Sequence, residues 1–169
     1  MKKNFMLLSA SSLQTLGGVS CDSGSCWIDL RLPSGTLWAE CNIGATSPEQ
    51  YGNYYAWGET QPKAVYDWST YRLCGGDSDK LNKYCTELRF GIVDNLSVLL
   101  PVDDVATEEL GNDAHIPTKD QWQELLNNTQ SEWTEYNGVY GRRFTGVDAR
   151  PSFCLLLASV ALPDSTPRS

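Results

Sequence analysis

The sequence predicts an α+β domain of short twisted antiparallel strands, two or three short helices and long loops. Three observations predict it. Residues alternate in polarity on both sides of a Pro-Ser-Gly turn at 33–35, a capping box opens an amphipathic helix at Thr118, and an Asn-Gly pair at 137–138 separates two β-prone runs.

The first element is "WIDLRLPSGTLWAECNI", from Trp27 to Ile43. The Pro-led turn has Gly35 available for positive φ, so two strands flank it. Ile28, Leu30 and Leu32 fall on one face of the first strand, and Leu37, Ala39, Cys41 and Ile43 on one face of the second. "SPEQYG" follows, with Ser47 as N-cap, Pro48 at the first helical position, Glu49 in the first turn and Gly52 as stop. One helical turn is expected there. "NYYAWGE", residues 53–59, reads as a short aromatic strand.

Residues 60–100 show little periodicity and read as a long structured loop, a type of segment usually functional or pinned. "PVDDVATEELG" predicts a short helix capped near Asp103 and stopped by Gly111. In "IPTKDQWQELLNN", Thr118 and Gln121 have capping-box spacing, and Trp122, Leu125 and Leu126 form one stripe. "WTEYNGVYGRRFTG" closes the series as a hairpin, because Asn-Gly supplies the two positive φ angles of a tight β-turn.

At 169 residues the chain is one domain with tails. A net charge of −8 and a pI near 4.5 exclude a nucleic-acid groove, which needs clustered Lys and Arg. Six Cys, six Trp and eight Tyr lean toward an exported, disulfide-tolerant domain. Residues 1–25 read as a secretory or lipoprotein leader or as an unstructured start: "MKKNFMLLSASSLQTLGGVSC" has two Lys, a short apolar patch and small residues before Cys21. Cys21 stands where a bacterial lipoprotein is cut and acylated, which makes it the candidate lipidation site. No run approaches the ~20 apolar residues of a transmembrane helix, and Phe153–Leu162 is about half that length.

The segments "IDLRLPSGTLWAECNIGATSPEQYGNYYAWGE", "YDWSTYRLC", "LNKYC", "PVDDVAT", "IPTKDQWQELLNN" and "NGVYGRRFTG" come in an order that resembles the Fibrobacter succinogenes major paralogous domain family. That family is common in exported proteins of gut Bacteroides-type bacteria. The resemblance runs from about Trp27 to about Val147. It implies a C-type-lectin-like fold, in the branch that includes formylglycine-generating enzymes, and "PT-x-x-x-W" at Pro117, Thr118 and Trp122 is common to that branch. The family has Trp where Leu110 stands and Trp-Arg at Ala114-His115, so two large anchors differ.

After the hairpin, family members continue close to Ile-Phe-Leu-Pro-Ala-Ala-Gly-Tyr/Phe-Arg, whereas this chain reads "PSFCLLLASVA". Codons for Pro151 to Val160, read from the third base of each, permit Ile-Phe-Leu-Pro-Ala-Ala-Gly-Phe-Arg. The resemblance therefore implies that residues 26–148 form a lectin-like domain lacking its C-terminal part, and that 149–169 are an out-of-frame tail.

Candidate chemistry is sparse. Formylglycine-type catalysis uses cysteines late in the fold, where this chain offers only Cys154. Cys41, Cys74 and Cys85 are buried thiols or disulfide partners, and Cys74–Cys85 is the favoured pair because it closes a short loop in the least regular region. His115, the one histidine, has no Cys partners at zinc spacing. Asp103 and Asp104 are imaginable Ca²⁺ ligands, but Asp103 is better explained as a helix cap. Among the aromatics Tyr51, Tyr54, Tyr55, Trp57, Trp68 and Tyr71, the ligand-binding candidates are Tyr54, Tyr55, Trp57 and Trp68, which can stack on sugar rings, although core packing explains most such residues.

The expected protein is a non-enzymatic exported or cell-envelope binding or structural domain of a gut-type bacterium. Its ligand is left unknown by the sequence, with carbohydrate and a surface protein as the candidates, and no nucleic acid, metal or cofactor is expected. The alternatives are a degraded enzyme of the formylglycine-generating type and a non-functional product.

Overall fold

A computed structural model describes residues 9–10, 20–22, 25–111, 113–146 and 154–156; before Trp27 and after Gly146 it gives strand placement alone. The fold is α+β, with two antiparallel sheets and two α-helices among these residues. In the five-stranded sheet, β2 (Ser20–Asp22) pairs with β3 (Ser25–Asp29), which pairs with β4 (Leu37–Ala39); β1 (Ser9–Ala10) then lies between β4 and β5 (Ala114–His115). The Pro-Ser-Gly turn joins β3 to β4 as expected: Gly35 has φ +73° and its N–H donates to Leu32 O at 2.9 Å.

The second sheet is the hairpin β6 (Thr129–Tyr136) and β7 (Val139–Gly146), with β8 (Cys154–Leu156) on the outer side of β7. Asn137 and Gly138 have φ of 50° and 81°, the left-handed pair a two-residue β-turn requires. Two pieces of the segment expected as leader or unstructured start thus pair into the first sheet. A three-residue strand from the expected tail pairs with β7, where the sequence predicts no closing strand. The remainder of both segments lies outside the described residues.

Strand alternation sorts the apolar residues onto two faces, and both are covered. Trp27, Leu37 and Ala39 pack with Ile43, Tyr55, Val105, Ala106, Ala114 and Ile116. On the other face Ile28, Leu30, Leu32 and Trp38 pack with Leu125 and Phe144, and Trp122 meets Trp38 edge-on at 5.6 Å. Ala114 is a buried member of the first cluster, and Leu110 packs against it. Cys41 belongs to neither cluster, contrary to its expected face.

α1 (Val105–Leu110) is capped by Asp104, whose carboxylate accepts from Ala106 N and Thr107 N, and it stops at Gly111. The cap is therefore one residue beyond Asp103. Asp104 also accepts the Ile116 N–H at 2.9 Å, tying the start of α1 to the chain leaving β5. α2 (Lys119–Asn128) opens with the expected Thr118/Gln121 capping box. Only Leu125 of its stripe is buried, Trp122 is half-buried, and Leu126 is 49% exposed.

"SPEQYG" makes the single turn expected, with Gln50 N–H donating to Ser47 O at 3.1 Å, whereas "NYYAWGE" does not form the expected strand. Side chains from the long loop take the backbone acceptors of this second segment instead. The Tyr66 hydroxyl donates to Tyr54 O, and the Tyr71 hydroxyl to Trp57 O at 2.8 Å.

Candidate aromatic cleft in the long loop

The long loop has little regular structure, and side chain-to-backbone hydrogen bonds order it. Asp67 caps the 3₁₀ turn Trp68–Thr70, accepting the Ser69 hydroxyl at 2.6 Å and Thr70 N–H at 3.1 Å. The Ser69 hydroxyl above all holds the Asp67 carboxyl below the usual range. Asp94 does the same work further along, accepting the N–H groups of Tyr84, Cys85 and Leu96 at 2.8–3.1 Å.

Lys63 is the hub of the first part of the loop. Its ammonium donates to Glu59 Oε2 and to Thr70 O, both at 2.7 Å. It also lies 5.7 Å from the centroid of the Tyr66 ring and 5.8 Å from that of Tyr71, within cation–π range. The Lys63 N–H donates to the Tyr66 hydroxyl at 2.9 Å, so residues 63–70 wrap around this one side chain.

This wrapping leaves an open cleft lined by Ala56, Trp57, Lys63, Tyr66, Asp67, Trp68 and Tyr71. It encloses about 320 Å³ when the open solvent at its mouth is included, so it is a shallow surface cleft rather than an enclosed cavity. Trp57 is fixed from behind by the edge of Tyr84 at 6.3 Å, and Trp68 by the edge of Tyr71 at 6.0 Å. Burial, followed by the charge of Glu59, pushes the Tyr71 hydroxyl up to about 12, so it stays a neutral donor. The cleft therefore offers aromatic faces, one paired ammonium and one exposed carboxylate, which together can hold a ligand.

Of the four ligand-binding candidates, Trp57 and Trp68 line this cleft and the other two do not. Tyr55 is a buried core residue, and Tyr54 is outside the lining, contributing its carbonyl to Tyr66. Lys63 and Tyr66 were not singled out from sequence because no periodicity marks them. Their signal was the density of Tyr and Trp in an aperiodic stretch.

The Cys74–Cys85 bridge expected from sequence is not made: both are buried free thiols. Cys74 Sγ donates to Trp68 O at 3.3 Å, and Cys85 Sγ to Glu87 O at 3.1 Å, so each points to its own local carbonyl. Burial, then Glu40 and Glu49, pushes the Cys41 thiol up to about 11. The side chains of Cys21, Cys26 and Cys154 lie outside the described residues.

Asp103 accepts from Arg72 Nη2 at 3.0 Å, from the Tyr84 hydroxyl at 2.7 Å and from Lys83 Nζ, while Asp104 is filled by backbone donors. Two carboxylates already saturated with donors make a poor Ca²⁺ site. No group of acidic, His or Cys side chains among the described residues could hold a metal ion. His115, in β5, sits 3.1 Å from the Gln121 side-chain oxygen of the capping box. No helix among the described residues is long and apolar enough to cross a membrane.

Comparison with known proteins found no family model matching the chain, and no similar curated protein or solved structure.

Proposed function

We propose that the chain is a non-enzymatic binding domain whose cleft takes one neutral pyranose ring of a carbohydrate. The observation that carries this reading is the lining itself: Trp57, Tyr66, Trp68 and Tyr71 around Lys63 and Asp67. A pyranose has an apolar C–H face that suits an indole or phenol and a fringe of hydroxyls that suits an ammonium and a carboxylate. Lys63 is already compensated by Glu59 and Asp67 is ionised, so an acidic sugar would meet no uncompensated cation.

Binding is favoured over catalysis because the described thiols are not poised as nucleophiles. Thiolates attack and thiols do not. Cys41 is held protonated, and Cys74 and Cys85 are buried against carbonyls.

The reading extends to an exported or envelope-bound domain, on the leader-like start and the position of Cys21. It extends also to a C-type-lectin-like version of the α+β fold, on the order of the segments from Trp27 to Val147 and the "PT-x-x-x-W" start of α2.

A glycan array probed with the wild type and with Trp68→Ala tests the binding reading. Neutral glycans should be retained by the wild type and lost by the variant, with the melting temperature little changed because Trp68 is 37% exposed. Retention of acidic glycans alone, or binding indifferent to Trp68, would overturn it.

A further inference from the structure

We infer that Cys21 and Cys26 form a cross-strand disulfide that staples β2 to β3. The two cysteines are direct partners in the antiparallel register, flanked by the pairs Ser20↔Trp27 and Asp22↔Ser25. Only Ser23 and Gly24 separate Asp22 from Ser25 in the chain. A hairpin with two intervening residues closes on a pair that exchanges both backbone hydrogen bonds, and hydrogen-bonded and non-hydrogen-bonded pairs then alternate. Cys21 and Cys26 are therefore the first non-hydrogen-bonded pair.

In such pairs the Cα atoms are ~4.5 Å apart and both residues share one face of the sheet. Disulfides need Cα atoms ~4.4–6.8 Å apart. The register thus pairs the two residues at a Cα separation that a disulfide can span. Among the cysteines whose side chains are described, Cys41, Cys74 and Cys85 are free thiols, and Cys74 and Cys85 each point to a local carbonyl.

The reaction is an ordinary two-electron exchange. One cysteine thiolate attacks a low-molecular-weight disulfide such as oxidised glutathione and expels one glutathione thiolate. The second cysteine thiolate then attacks the mixed disulfide, forming the Cys21–Cys26 S–S bond and expelling the other glutathione. Two thiol protons pass to the two glutathione thiolates, so the cysteines are oxidised and the glutathione disulfide reduced. A bonded Cys21 has no thiol to acylate, so this bridge and lipidation of Cys21 are alternatives on one molecule.

Trypsin makes the test simple, because the peptide Asn4–Arg31 contains these two cysteines and no other. The full chain is equilibrated in a glutathione redox buffer, its remaining thiols are alkylated, and the digest is weighed without reduction. The expected peptide carries no alkyl group and is lighter by two hydrogens than its reduced form. The bridged fraction should fall when the same equilibration is done in denaturant, and Cys74→Ser should leave it unchanged. A peptide bearing two alkyl groups, a glutathione adduct, an acyl chain or a link to another cysteine peptide would overturn the inference. So would a bridged fraction that is the same in denaturant.

Discussion

Ser34 gives both of its donors to Glu124: its N–H reaches Oε1 at 2.8 Å and its hydroxyl reaches Oε2 at 2.6 Å. The turn between β3 and β4 is thereby tied to the middle of α2, ninety residues away in the chain. The Thr36 hydroxyl, 2.6 Å from Ser34 Oγ, joins the same group. The Pro-Ser-Gly-Thr motif thus does more than turn the chain, for it fixes the sheet against the helix that covers one face.

Hydrogen bonds to a charged acceptor contribute ~1.5–3 kcal/mol when well sheltered, and this pair is partly exposed. Glu124→Ala is therefore expected to lose ~1–2 kcal/mol in a urea melt. Ser34→Ala should lose less, because its N–H still reaches the carboxylate. Equal, negligible losses would show that the turn and helix hold together without this contact.

Asp103 dictates part of the acid response. Burial alone would raise its pKa, but hydrogen bonds from Lys83, Tyr84 and Arg72 outweigh that and hold it below the usual carboxylate range. A carboxyl lowered on folding contributes stability that is fully present above its unfolded value of ~3.9 and is lost as pH falls through the native one. Asp67, Asp77 and Asp94 are lowered too, so the melting temperature should drop as the medium is acidified below that value. Asp103→Asn should flatten part of this drop and cost ~1–3 kcal/mol at neutral pH, less than a fully buried pair because Arg72 and Lys83 keep contact with water. An acid limb unchanged in the variant would contradict the assignment.

Gly91 stands where no side chain fits. It has φ +144°, pairs with Leu81 through a parallel bridge, and a Cβ there would lie 2.0 Å from Leu81 O. Gly75, at φ +58°, has nothing within 4 Å of its added Cβ. Gly91→Ala should therefore cost ~2 kcal/mol or more, whereas Gly75→Ala should cost only the ~1–2 kcal/mol of a left-handed alanine. Chemical denaturation of both variants checks the order, and a Gly91 variant as stable as the Gly75 one would refute the close approach.

The resemblance of the central segments makes a prediction about the gene. For the shifted frame to read Ile-Phe-Leu-Pro-Ala-Ala-Gly-Phe-Arg, Ser152 must be encoded as TCT and Ser159 as TCC. Sequencing the encoding DNA is expected to find those codons. An AGT or AGC codon at either serine ends the idea, and the paired strand Cys154–Leu156 would then be an ordinary last strand.

Elements fixed by local chemistry were legible in the sequence. Asn137-Gly138 demanded a tight turn, Thr118 and Gln121 marked the start of α2, and Gly111 marked the end of α1. Alternation also put Ile28, Leu30 and Leu32 on one face, but it did not reveal that both faces of the sheet are covered. What periodicity could not show was the order of residues 53–100, which rests on single side chains reaching distant carbonyls and N–H groups. Tyr66 to Tyr54 O and Tyr71 to Trp57 O replace a strand ladder, and Lys63 gathers its neighbours by charge. Trp57 and Trp68 were accessible to sequence reasoning as aromatics, yet Lys63 was not, since nothing local distinguishes it from any surface lysine. The helix cap fell on Asp104 rather than Asp103, because adjacent aspartates look alike until their donors are known.

The central claim is that the aromatic cleft binds a neutral sugar, and intrinsic tryptophan fluorescence tests it most directly. Titration with neutral monosaccharides should give a saturable change in the wild type. The same change should persist in Trp133→Ala, where a 57% exposed indole on the hairpin is removed, and vanish in Trp68→Ala. A titration that never saturates, or one that Trp68→Ala leaves intact, would contradict the account.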